Sequence, residues 1–167
     1  MFLAHLPAGY LATTFVQKIA GDQSTAVLAT GLVASVLPDM DLFWFYLVDD
    51  RQTVHHSYFT HTPVFWLGAG AIAWLILKAM RHRSAALFVG VGLMGVMLHL
   101  ILDSIAAEIH WLWPHSDFEL NLVVVPASHN WWVWNFIFHW TFLVEALIIV
   151  AALVVWVVKR KMRQRFS

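Results

Sequence analysis

Histidine and aspartate residues form short groups in this chain, and the two residue types together offer the ligand atoms of a divalent metal site. Neutral imidazole and carboxylate are the usual ligands of zinc, manganese and iron in proteins. Because the chain is 60% hydrophobic, such groups are costly to bury unless they pair with one another or bind an ion. The groups are Asp39 with Asp41, His55 with His56 and His61, and His99 with Asp103.

The pair His99 and Asp103 has the spacing of two side chains on one helical face. Residues four apart on a helix are separated by only ~40° around its axis, so both can reach one ion or two neighbouring ions. If the helix continues, His110 returns to the same face and becomes a further candidate ligand. The alternative is a buried His–Asp hydrogen bond that joins two helices.

Asp39 and Asp41 follow Pro38 in otherwise apolar surroundings. Two neighbouring carboxylates repel and raise each other's pKa unless a cation neutralises them. A solvated turn at a helix end is the alternative, since Pro-Asp is common in turns. The apolar neighbours Leu37 and Trp44 favour metal binding.

The segment 55–63 is the richest in histidine and leads into an apolar stretch. His56 and His61 are its candidate ligands, and the hydroxyl of Thr60 or Thr62 is suited to fixing an imidazole tautomer from behind. An exposed loop with incidental histidines is the alternative.

Five apolar segments must position these groups. A helix needs roughly 20 apolar residues to cross a bilayer. We predict an all-α, integral-membrane helical bundle that forms a single domain over residues 1–167. One outer loop, 108–130, would cover the site. The predicted segments are 2–19, 25–48 (breaking near Pro38), 63–80, 84–107 and 131–158.

Charge patterning predicts the orientation of the bundle. Apart from Arg51, every lysine and arginine falls at one end of the segments, whereas every histidine except His82 falls at the other. By the positive-inside rule the basic end is cytoplasmic, so the C-terminus is cytoplasmic and the histidine-rich end faces outward. The formal net charge is zero, which argues against a nucleic-acid partner. The lack of cysteine excludes disulfides and thiolate zinc sites.

Several motifs occur in an order that resembles a known family. They are His5 followed by Gly9 and Tyr10, Leu37-Pro38-Asp39-Met40-Asp41, His56 to Thr62, His99 to Asp103, and Leu112-Trp113-Pro114. Over roughly residues 1–125 the chain resembles the YdjM-like family of predicted membrane-bound metal-dependent hydrolases. It departs from the family pattern at Ser57 and Tyr58, where the family has arginine and glycine.

The family is distantly similar to zinc-dependent phospholipase C and P1-type nucleases, and this similarity implies phosphodiester hydrolysis at a His/Asp-bound zinc cluster. The residues that would supply metal ligands are His5, Asp39, Asp41, His56, His61, His99, Asp103 and His110. A carboxylate that is not a ligand, Asp41 or Glu108, would be the catalytic base.

We therefore expect a hydrolase in the cytoplasmic membrane that uses one or two divalent ions, with zinc as the first choice and manganese or iron as alternatives. Its substrate would be a phosphoester or other ester of a membrane lipid or a lipid-linked molecule. Two alternatives stay open: an ion or metal transporter that uses Glu145 and Asn135 along its path, and a non-catalytic protein with a structural metal.

Overall fold

The structure, a computed structural model, describes residues 3–165 and is predominantly helical, which confirms the all-α prediction. Single 3₁₀ turns at Pro38–Met40, His55–Ser57 and Phe59–His61 stand between the helices, and β1 (Ile109–His110) pairs antiparallel with β2 (Glu119–Leu120). The helices are α1 (His5–Ala20), α2 (Thr25–Ala34), α3 (Asp41–Leu47), α4 (Pro63–Ala79), α5 (Ala85–Asp103), α6 (Trp132–Ile137) and α7 (Thr141–Arg165).

Helix α5 is the centre of the bundle, because it packs against α1, α2 and α4, while α7 packs against α1. Small residues allow the close approach of α5 to α2. A Cβ atom added to Gly95 would lie 2.9 Å from the Cβ of Ala34 and 3.0 Å from the carbonyl oxygen of Gly31. Glycine at such crossings is typical of membrane helices, which gain stability from tight backbone contact.

Two helices, α5 and α7, are long and apolar enough to cross a bilayer by length and composition. Helix α2 and the segment Pro38–Leu47 are together long and apolar enough for a third span, but the chain bends by 60° between them. Helix α4 is apolar but shorter, with 17 residues, and α1 has 16. Every predicted segment therefore contains a helix, but fewer of these helices qualify as full spans than the sequence suggested.

Two predicted segments, 84–107 and 131–158, differ from the helices that the structure contains. Phe2, the predicted start of the first segment, lies outside the described residues. The segment 84–107 ends as a helix at Asp103, where Ser104 accepts a hydrogen bond from the Trp111 indole at 2.8 Å and Leu122 donates to the Ser104 carbonyl at 2.9 Å. These bonds attach the loop 108–130 to the end of α5.

The segment 131–158 is not one helix either. It breaks between Ile137 and Thr141, and the His139 side chain lies 2.9 Å from the Thr141 hydroxyl and accepts from the Thr141 amide at 3.4 Å. A side chain that satisfies the first free amides of a helix favours a new helix start. Helix α7 therefore begins separately from α6.

The bend between α2 and α3 determines where the first aspartates lie. Helix α2 ends at Ala34, and Pro38, which lacks an N–H and cannot continue an α-helix, opens the 3₁₀ turn that contains Asp39. Asp41 is the first residue of α3 and is buried. The starts of α1 and α4 and the end of α5 meet these aspartates at the same end of the bundle.

Candidate metal centre

Four side chains converge at this end of the bundle, each offering one ligand atom, and all four ligand atoms lie within 4.8 Å of one another. Asp39 comes from the 3₁₀ turn after α2, His61 from the turn before α4, and His99 and Asp103 from the last turns of α5. We call these residues the four-residue cluster.

The separations within the four-residue cluster suit a shared ion. The Asp103 Oδ2 atom lies 3.0 Å from His99 Nε2 and 3.7 Å from His61 Nε2. The Asp39 Oδ1 atom lies 3.6 Å and 3.9 Å from the same two nitrogens. Ligands bound at 2.0–2.1 Å around a tetrahedral zinc ion are about 3.4 Å apart, so the observed distances fit a centre of this kind.

A bound ion would compensate for the burial of the two imidazoles of the cluster. His61 and His99 are both 0% exposed, and within residues 3–165 their Nε2 atoms have no well-oriented hydrogen-bond partner. A buried polar atom without a partner is costly. Asp103 is 1% exposed, whereas the Asp39 side chain is 31% exposed, so the cluster opens towards Asp39.

Groups behind the two imidazoles fix which nitrogen faces the centre. The Nδ1 atom of His99 donates to the Ser35 carbonyl at 2.9 Å, because a carbonyl can only accept. The Nδ1 atom of His61 lies 2.9 Å from Asp41 Oδ2, and the Thr60 hydroxyl donates to that same carboxylate oxygen. Both rings therefore keep Nε2 as the free ligand atom, an arrangement common around protein-bound metals.

His5 joins the site from the start of α1. Its Nε2 atom lies 3.1 Å from Asp103 Oδ1, and its ring stacks on His99 with centroids 3.9 Å apart. His5 is 4% exposed. It is placed either to bind a second ion beside Asp103 or to hold that carboxylate towards the centre.

A second group of possible ligands, His55, His56 and His61, shares His61 with the four-residue cluster. The Nε2 atom of His56 lies 3.8 Å from Asp103 Oδ2. Burial lowers the pKa of His56 to about 3, which keeps its imidazole neutral, the form that binds metals. Sharing of one histidine by two groups is compatible with one ion or with two adjacent ions.

His55 lies between the two aspartates of the bend. Its Nδ1 atom is 2.9 Å from Asp41 Oδ1, and its Nε2 atom is 3.3 Å from Asp39 Oδ1. Burial disfavours the charged form of this imidazole, but the two carboxylates outweigh burial and raise the pKa of His55 to about 9. In its protonated form, His55 therefore bridges the two carboxylates, with one ring nitrogen beside each.

Four predicted site residues lie outside both ligand groups that the described residues form: His5, Asp41, His110 and Glu108. Asp41 stands behind His61 and contacts Thr60. His110 is not on α5, which ends at Asp103, and its Nε2 atom instead lies 2.9 Å from Glu119. Glu108 is exposed, in the loop between α5 and β1. The choice of Asp41 or Glu108 as catalytic base stays a prediction.

Two contributors to the centre, His55 and the Ser35 carbonyl, were not predicted from the sequence. His55 was grouped with its neighbours but not chosen as a site residue, although its position one residue before a candidate ligand was a usable signal. Nothing in the sequence indicates a role for the Ser35 carbonyl, because every residue type has a carbonyl. Its role depends on the position of the end of α2 beside His99.

Glu145, the carboxylate of α7, belongs to neither ligand group that the described residues form. It is 3% exposed, and it accepts a hydrogen bond from the amide of Leu3, just before α1. Its visible role is to join the last helix to the first.

These features define a small helical membrane protein with a buried cluster of histidine and aspartate at one end of the bundle. The family model described as YdjM inner membrane protein matches residues 1–165, and the chain belongs to this family. Among curated proteins and among solved structures, nothing matches the chain.

Proposed function

We propose that this protein is a metal-dependent hydrolase of the cytoplasmic membrane, acting on a phosphoester or other ester at the outer face. The observation that carries the proposal is the convergence of Asp39, His61, His99 and Asp103 within 4.8 Å, on the side where Asp39 is partly exposed. A substrate can approach a centre that is open on one side, whereas purely structural zinc sites are closed.

A divalent ion held by the four-residue cluster would lower the pKa of a water molecule and polarise the scissile ester. The side chains then have separate tasks. His61 and His99 present fixed Nε2 atoms, and Asp41 holds the His61 ring in place through its Nδ1 atom. In hydrolysis of a phosphoester, the oxygen of a water molecule would bond to phosphorus as the bond to the alcohol breaks; one proton of that water would pass to the leaving alcohol, and the other would be released from the phosphate product or stay on it.

The proton needs a carrier that is not itself a ligand. Asp41, one of the two predicted bases, contacts His61 directly, and His55 connects Asp41 with Asp39 at the open side of the cluster. Glu108, on the exposed loop, is the other candidate. The variant Glu108→Gln separates them, because it slows turnover only if Glu108 takes the proton.

The outward orientation rests on the distribution of charge. Lys18, Lys78 and Arg81 lie at the end of the bundle opposite the four-residue cluster, in the last turn of α1 and at the end of α4. Basic residues favour the cytoplasmic side. With this orientation the substrate reaches the centre from the outer leaflet.

Transport is the second candidate, and buried polar residues below His5 favour it. Thr13, Thr14 and Gln17 on α1 are all buried. However, Thr14 donates to the Leu11 carbonyl, Gln17 donates to the Ser24 carbonyl, and Thr13 fills the space beside Gly31. These contacts give the residues a packing role, so hydrolysis remains the preferred proposal.

Metal analysis combined with turnover tests the proposal. The purified protein is expected to contain zinc, manganese or iron, and to release product from phospholipids, lipid-linked phosphates or simple phosphodiesters. Chelation should abolish product release, and addition of the same metal should restore it. A metal-loaded protein inert on all three substrate types would reject the hydrolase, and metal flux into liposomes would establish the transporter.

A further inference from the structure

An apolar groove of about 560 Å³ runs along the bundle beneath the metal centre. Helices α2 and α4 both pack against α5 but make little contact with each other, which leaves α5 as the floor of the groove. The only hydroxyl in its lining belongs to Thr30, and this hydroxyl donates to the Ala26 carbonyl on its own helix. The groove therefore offers apolar contact alone.

Small side chains give the groove its width. Ala69 and Ala73 on α4, Ala29 on α2 and Gly92 on α5 all lie in its lining. Larger residues at these positions would close the space between the helices. A groove of this kind accepts a narrow apolar chain.

The upper end of the groove approaches the metal centre through residues adjacent to it. Its lining residue Leu37 precedes Asp39 by two positions, and Val96 precedes His99 by one helical turn. The indole of Trp66, also in the lining, donates to the Thr60 carbonyl at 2.6 Å, and Thr60 in turn contacts Asp41. A molecule in the groove would thus end at the four-residue cluster.

The length of the groove matches one leaflet of a membrane. Along α4 it extends from Trp66 to Leu77, which corresponds to about 16 Å at 1.5 Å per residue. The hydrocarbon core of a bilayer is about 30 Å thick, so the groove covers roughly half of it. This is the depth that the acyl chain of a lipid reaches from a headgroup at the surface.

We propose that this groove binds one acyl chain of a phospholipid substrate whose phosphate lies at the metal centre. The proposal rests on the proposed hydrolase function and adds the class of substrate and the residues that select it. The occupant is a lipid from the outer leaflet that enters sideways between α2 and α4. A soluble phosphoester would leave the groove unused.

Gly92 and Gly90 provide a matched pair of variants on α5. A Cβ added at Gly92 would lie 3.9 Å from the Thr30 methyl group, which is an ordinary contact distance. The ring of Gly92→Phe can therefore enter the groove. Gly90 is exposed, does not line the groove and has nothing within 4 Å of an added Cβ. Gly90→Phe is therefore the control. Ala73→Phe, from α4, is a second groove variant in case Gly92→Phe fails to fold.

Binding is tested with a phosphatidylglycerol that carries a photoactivatable diazirine at the end of one acyl chain, added to the full chain in detergent micelles. Irradiation should label the lower groove residues Leu77 and Phe88 more than the exposed Leu143 and Leu147 of α7. Filling the groove with Gly92→Phe or Ala73→Phe should reduce the groove label by about tenfold, while Gly90→Phe changes it by less than about twofold. Equal labelling of groove and exposed residues, or no loss in the groove variants, would overturn the proposal.

Turnover separates this proposal from the hydrolase itself. Gly92→Phe should lower kcat/KM for long-chain phosphatidylglycerol by about tenfold or more and leave its dibutyryl analogue within about twofold. If the wild type hydrolyses both lipids and Gly92→Phe slows both equally or neither, the groove assignment is wrong and the hydrolase stands. If the wild type hydrolyses nothing but groove labelling behaves as expected, the chain-binding groove stands and the hydrolase is wrong.

Discussion

The Oδ2 atom of Asp41 lies 2.9 Å from Nδ1 of His61, so the opposite nitrogen of that ring faces the carboxylates of Asp39 and Asp103. Both residues are buried, and the Thr60 hydroxyl donates to the same Asp41 oxygen. The bond determines the tautomer of His61, and with it the readiness of the cluster to bind an ion.

Replacement Asp41→Asn should therefore weaken metal binding without removing a ligand. The amide keeps the shape of the carboxylate but loses the charge that holds the Nδ1 proton. We expect the affinity for zinc to fall by about 10- to 100-fold, measured by chelator competition. The control is Asp49→Asn, because Asp49 accepts from the Tyr58 hydroxyl at 2.8 Å and contacts no imidazole of the cluster. Unchanged affinity in Asp41→Asn would contradict this role.

Replacement Asp103→Asn should abolish turnover while the protein stays folded in the membrane. Asp103 contacts His5, His56, His61 and His99, so its carboxylate lies against four of the candidate ligands. Loss of its charge should lower both metal content and rate, measured by elemental analysis and product release. Asp117→Asn, on the exposed loop, is expected to match the wild type. Full activity in Asp103→Asn would rule out the four-residue cluster as the active centre.

Metal should also stabilise the fold. Without an ion, the Asp39 and Asp103 carboxylates face each other across the cluster, and the buried Nε2 atoms of His61 and His99 have no well-oriented hydrogen-bond partner among the described residues. An ion at one hundred times its Kd contributes about 2.7 kcal/mol to the free energy of unfolding. Chelation should lower the melting temperature of the wild type, and it should have little effect on His99→Ala. An equal response of the two proteins would contradict a metal at this position.

Gly95 connects helix packing to the metal centre. A side chain at this position would press against backbone atoms of Gly31 and Ser35 at 3.0 and 3.1 Å. Replacement Gly95→Leu should therefore push α5 away from α2, at a cost of about 1–3 kcal/mol in the free energy of unfolding. Because His99 lies one turn further along α5 and donates to Ser35, metal affinity should fall as well. Gly90→Leu, on the exposed face, should change neither quantity, and a similar effect of both variants would exclude this coupling.

The orientation of the bundle can be tested in this cysteine-free chain. Ser116→Cys lies in the loop 108–130, and Gln23→Cys lies in the turn between α1 and α2; both positions are exposed. An impermeant thiol reagent added to intact cells should label Ser116→Cys alone. Labelling of both variants, or of Gln23→Cys alone, would overturn the outward orientation.

Much of this architecture was predictable because its determinants are local. The apolar segments gave the positions of the helices, and Pro38 gave the break after α2. The spacing of His99 and Asp103 places both side chains on one helical face whatever surrounds them. The end of α5 was not predictable, because Ser104 is held by Trp111 and Leu122 from the following loop.

The inner arrangement of the centre depended on contacts between distant segments. Asp41 has the same chemistry as Asp39, and only the bend of the chain places one beside the ligand nitrogens and the other behind His61. His110 fits the helical spacing of His99, but the chain leaves the helix at Asp103 and pairs His110 with Glu119. Periodicity alone carries no information on such changes of direction.

Every member of the four-residue cluster, together with His5 and His56, precedes residue 104, while α7 begins at Thr141. A chain made from its N-terminus has therefore produced the complete set of ligands before the ribosome reaches the last helix. A centre built from these residues would need no side chain of α7, which joins the start of α1 separately through the bond from Leu3 to Glu145. In the order of synthesis, the loading of such a centre would precede the docking of α7.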